Sequence, residues 1–79
     1  MLDKAIKYFD KEYEKMEQRF NNPLRPLSTK SKRIAVSNTI ARCLGVAMFV
    51  QECGVTYNEI VTPFEEVKTK LMKLIEREE

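Results

Sequence analysis

The residues best suited to chemistry in this chain are bases rather than nucleophiles. Lys30, Lys32 and Arg33, with Arg25 just upstream, fall where a helix is predicted to begin, among the hydroxyls of Ser28, Thr29 and Ser31. First-turn amides of a helix have no partner within it and point outward. The helix dipole favours anions at that end and disfavours cations. Cations clustered there break a local rule, which is where functional sites are often found. The chemistry such a cluster offers is anion binding, to nucleic-acid phosphates or to the acidic surface of a protein partner. Arg42 belongs to the same basic stretch: Gln18 to Gln51 holds six bases and no acid, while the flanks hold eight bases and all twelve acids. A net charge of +2 therefore conceals a basic middle between acidic ends. The competing expectation is internal neutralisation, with Glu76, Glu78 and Glu79 at the end of the third helix reaching the start of the second.

Catalysis has little to work with. There is no His, the commonest general acid–base group. Cys43 sits mid-helix on an apolar stripe, where a thiol behaves as a small hydrophobe. Cys53, at a helix end, has no His beside it to activate it. Two thiols without His cannot supply a four-ligand zinc site. They lie ten residues apart on one predicted helix, about 15 Å, too far to bridge. The two glycines, Gly45 and Gly54, form no phosphate loop. Glu65 and Glu66 are first a solvated face. The expectation is a non-enzyme with no metal, cofactor or small-molecule substrate.

Three helices must position these groups, over about residues 2–20, 29–53 and 57–77. In the first, Leu2, Ile6, Phe9, Tyr13, Met16 and Phe20 step by four and three along one stripe, widened by Ala5. Asn21 and Asn22 are candidates for a left-handed cap. The connector 21–28 is stiffened by Pro23 and Pro26, and Leu24 and Leu27 are expected to pin it to the bundle end. The second helix has a main stripe of Val36, Ile40, Cys43, Ala47 and Val50 with Leu44 beside it. A second stripe of Ile34, Ala41, Gly45, Met48 and Phe49 runs on the opposite side. A helix apolar on two sides is expected to be buried on two sides, so the second helix is placed centrally. Gly54 ends it, Thr56 and Glu59 form a capping box for the third helix, and Val55 and Ile60 occupy hydrophobic-staple positions. Ile60, Phe64, Val67, Leu71 and Leu74 continue the third stripe, with Pro63 either kinking or splitting that helix.

Short connectors between helices of this length predict an all-α, up-down-up three-helix bundle forming one domain over residues 1–79. An intertwined dimer sharing the second helix is the runner-up. A small core gains from oligomerisation, so the second stripe (Ile34, Ala41, Gly45, Met48 and Phe49) is assigned as a homodimer interface, its small residues admitting another helix closely. A helix-turn-helix reading fits Ile40 to Val46 and then fails, because Gln51 and Gly54 fall where apolar residues are needed. Shifting the frame to Phe49–Pro63 places Glu59, Glu65 and Glu66 toward DNA phosphates, which repel them. No apolar run follows Met1, and the longest, Cys43–Val50, is eight residues where a membrane span needs about twenty. With two unpaired thiols, a cytoplasmic protein off the membrane is expected.

The stretch Arg42 to Ile60, followed by Phe64-Glu-Glu-Val-Lys, resembles small helical proteins of Gram-positive phages and integrative mobile elements. The resemblance covers residues 40–75 and implies a short accessory protein, without transferring any functional residue. Such elements also encode small inhibitors of host nucleases, including anti-CRISPR proteins. The expectation from the sequence is a helical interaction protein that binds a protein partner. The alternative is a binder of nucleic-acid phosphates through the basic segment 19–42.

Overall fold

The computed structural model describes residues 1–76. These form α1 (Leu2–Phe20), α2 (Thr29–Glu52) and α3 (Tyr57–Glu76), with no strand among the described residues. Each helix packs against both of the others in a helical bundle of 42 × 19 × 15 Å.

α1 buries Ala5, Phe9, Glu12 and Met16, while Leu2, Tyr13 and Phe20 are half-buried at the core's edge. The inner face is thus rotated slightly from the expected stripe, taking in a carboxylate and leaving Ile6 at the margin. The left-handed cap expected at Asn21 and Asn22 does not form. Asn21 has φ −93° and ψ 3°, and Gly54 is the single positive-φ residue among those described. The helix stops instead at an Asx turn, in which the Leu24 amide donates to Asn22 Oδ1 at 3.0 Å, and Pro23 blocks continuation. That turn directs Leu24 outward, 88% exposed, so it does not pin the connector. Leu27 is half-buried.

Ser28 starts α2 by accepting the Ser31 amide at its Oγ, 3.1 Å away. The end of α2 follows the expected design. Gly54, at φ 108°, lets its amide donate to Gln51 O at 3.1 Å while the Val55 amide reaches Val50 O at 3.0 Å, a Schellman motif. Reciprocal Thr56–Glu59 bonds then open α3: the Thr56 amide donates to Glu59 Oε1 (3.2 Å) and the Glu59 amide to Thr56 Oγ1 (3.3 Å). α3 runs uninterrupted through Pro63, so it is not split and no second start forms at Thr62.

The central position expected of α2 is not observed. Its inner face is Lys32, Val36, Thr39, Cys43, Ala47 and Val50. The opposite face is open, with Ile34, Met48 and Phe49 at 53%, 58% and 57% exposure and Leu44 also exposed. Three mutually packed helices give each only one inner face, so a second apolar stripe has nothing left to pack against. Gly45 lies mid-helix, so no helix-turn-helix turn occurs there. The doubled apolar content also makes α2 long and apolar enough, by length and composition, to cross a membrane.

Candidate functional site

The basic residues expected to form one anion site are divided by the fold. Lys32 is 6% exposed, its Nζ 5.5 Å from the centroid of the Phe20 ring. It serves the α1–α2 contact through a cation–π interaction and an apolar stem. The Ser28 hydroxyl donates to Ser31 Oγ at 3.0 Å while accepting the Ser31 amide, so the Ser28 proton is used within the cap. Arg25, Lys30 and Arg33 remain exposed, and Lys32 and Arg33 each have a partner within the fold. Of the acids expected to neutralise this end, Glu76 is exposed, and Glu78 and Glu79 lie outside the described residues.

Arg42 is committed elsewhere. Its Nε donates to Glu12 Oε1 at 3.0 Å and its Nη2 to Thr39 Oγ1 at 3.0 Å. Thr39 in turn donates to Ala35 O at 2.9 Å, Tyr8 donates its phenol proton to Glu12 Oε1 at 3.2 Å, and Lys15 Nζ lies 3.6 Å from Glu12 Oε2. Burial pushes the Glu12 carboxyl up. The Arg42 hydrogen bond and charge, joined by Tyr8 and Lys15, more than offset this and hold its pKa below the usual glutamate value. The network closes the α1–α2 seam and leaves no buried side-chain polar atom unsatisfied among the described residues.

A lowered folded-state pKa means that the stabilisation from Glu12 is present above the ordinary glutamate value. It is lost as pH falls through the folded value. Arg42→Leu is expected to cost about 1–2 kcal/mol near neutral pH, because a buried carboxylate loses its main partner while the arginine itself is half-exposed. Urea unfolding at pH 7 and pH 3 checks this, with the difference between wild type and variant shrinking at the lower pH.

The thiols differ sharply. Cys43 is fully buried, and burial pushes its thiol up to about 11, whereas Cys53 is exposed. One thiol per chain is expected to react with an aromatic disulfide reagent at pH 8, and two once the chain is unfolded. Cys43 should lag Cys53 by a factor on the order of 1,000, from its low thiolate fraction and its burial.

The assigned interface residues share one face of α2. Ile34, Ala41, Gly45, Met48 and Phe49 are all exposed, and a Cβ built on Gly45 would meet nothing within 4 Å. No acid occurs from Ile34 to Gln51, and the only base there is Arg42, tied to Glu12.

Sorting charges by segment missed a second arrangement. Lys7, Lys11, Lys15 and Arg19 recur every four residues on α1, and all are exposed. Lys15 and Arg19 line a hollow of about 410 Å³ together with Gln18, Asn22, Arg25 and Leu27. The four-residue spacing was the available signal. It went unnoticed because five interleaved acids leave the five bases of α1 with no net charge. Comparison of the chain with protein-family models, curated proteins and solved structures gives no match.

Proposed function

We propose that this chain is a non-enzymatic helical interaction protein, an up-down-up bundle that acts as a homodimer built on the outer face of α2. The observation that carries this reading is the exposure of Ile34, Met48 and Phe49 along one uncharged helix face around Ala41 and Gly45. Large apolar side chains gathered on one face, rather than scattered, are what an association surface offers. The occupant is a second copy. A face without free charge neither repels its own image nor recruits a charged partner, and a two-fold axis brings the same patch to itself. Small residues at its centre admit a second helix at the close end of the usual 8–10 Å packing distance.

Neighbouring pairs support the up-down-up order. Lys32 lies over Phe20, while Tyr8 lines a hollow with Val46, Phe49 and Val50, so α1 and α2 run in opposite directions. Phe9 meets Phe64 edge-on at 6.3 Å and Lys70 lies over Tyr13, so α1 and α3 run together. The same reading places the protein in the cytoplasm as an accessory of a phage or integrative element. There, dimerisation would display two copies of whatever the rest of the surface binds. Charged outer faces on α1 argue against insertion of the bundle into a bilayer, despite the apolarity of α2.

The test is solution mass by sedimentation equilibrium. The wild type is expected at twice the chain mass of 9.3 kDa, and a wild type that stays at the single mass at about 100 µM overturns the proposal.

A further inference from the structure

The charges of α1 are sorted by face. At about 100° per residue, Lys4, Lys11, Lys15 and Arg19 occupy one shoulder of the helix and Asp3, Asp10, Glu14 and Glu17 the other, with Lys7 at the boundary beside Asp3 and Glu14. The basic shoulder lies on the α2 side. Lys4 lines the hollow shared with Phe49 at one end, Lys15 shares Glu12 with Arg42 in the middle, and Arg19 meets Arg25 across the 410 Å³ hollow at the other end. Among the described residues, Glu12 is the acid that reaches this shoulder, and it is buried beneath its two partners. Lys4 to Arg19 spans about 22 Å, with a cation roughly every 6 Å where the spacing is four residues.

We propose that this lane, from Lys4 along α1 to Arg25, binds the phosphate backbone of duplex DNA without reading its sequence. Three observations choose the occupant. The lane is long and regular, and a duplex presents phosphates at regular spacing along each strand. No exposed large apolar side chain falls between Leu2 and Phe20, and those at the lane's two ends, Phe49 and Leu24, stand far apart, so a protein partner would find no buried anchor along α1 itself. No exposed aromatic ring lies on the lane to stack unpaired bases, since Tyr8 and Tyr13 are half-buried, which disfavours single strands. The lane meets the α2 face at its Lys4 end, where Lys4 and Phe49 line one hollow, and the stretch from Lys11 to Arg25 does not depend on the proposed dimer.

Fluorescence anisotropy of a labelled mixed-sequence duplex against full-length protein tests this. With about five phosphate contacts, log K is expected to fall with log salt at a slope near −4.5, several hundred-fold between about 50 and 200 mM. Lys11→Gln, Arg19→Gln and Arg25→Gln together should weaken binding more than about 100-fold at the lower salt and make the slope shallower by nearly 3. Lys68→Gln with Lys73→Gln on α3 should leave both unchanged. Circular dichroism and solution mass confirm that the triple variant still folds and assembles. The proposal is overturned by absent binding at about 20 mM salt. It is also overturned by an equal effect of the α3 changes, or by poly-glutamate competing as well as DNA, which would assign the lane to an acidic protein.

Discussion

Met48→Asp is expected to halve the solution mass. In the protomer Met48 is 58% exposed, so an aspartate there touches solvent and costs only the helix-propensity difference, about 0.5 kcal/mol. Across a two-fold interface the same change buries two carboxylates, at several kcal/mol each, which moves a micromolar dimer beyond reach. Gly45→Leu makes a sharper test because its two effects have opposite signs. A Cβ at Gly45 meets nothing within 4 Å, so replacing a mid-helix glycine should stabilise the isolated chain by roughly 0.8 kcal/mol. The leucine would hold two α2 axes apart and break the pair. A variant that weighs half as much at assembling concentrations, yet melts higher than the wild type at a dilution where both are monomers, singles out this face as the interface. Lys30→Glu with Arg33→Glu should leave the mass untouched. Retention of the dimer by both α2 variants would sink the assignment.

Phe9→Ala is expected to remove about 3–5 kcal/mol of folding stability, a large share of the total. Phe9 is 1% exposed, meets Phe64 edge-on, and sits where α1 and α3 join. Truncating a buried phenylalanine costs about 3–5 kcal/mol, and a chain of this length has roughly 4–12 kcal/mol to lose. Phe9→Leu keeps most of the volume and should cost about 1 kcal/mol. Thermal unfolding followed by circular dichroism separates the two. An alanine variant as stable as the leucine variant would mean that Phe9 is not central to the core.

Local signals were legible because they are short-range physics. The Schellman turn at Gly54 and the Thr56–Glu59 box involve residues within six positions of one another, so chain geometry alone dictates them. The three helices appear within a residue of their expected bounds at every described end, because apolar spacing of three and four residues admits no other element. The left-handed cap at Asn21 was misread because Asn22 had a stronger local use, holding the Leu24 amide beside Pro23. Leu24 was misplaced for the same reason.

The helical class, the stops and caps, and the presence of two apolar stripes on α2 follow from local spacing along the chain. Which stripe faces inward depends on packing among the helices, since both have the right period and a three-helix core has room for one. That packing also decided the fate of the bases. Lys32 lies over Phe20 because its stem covers the seam between helices, and Arg42 is held by Glu12, a residue thirty positions away. A cation's availability depends on what the fold brings near it, which composition along a segment cannot express. The lane on α1 lies between these limits, for helical spacing encodes it, while its joining to Arg25 and its meeting with Phe49 at the Lys4 end arise only in three dimensions.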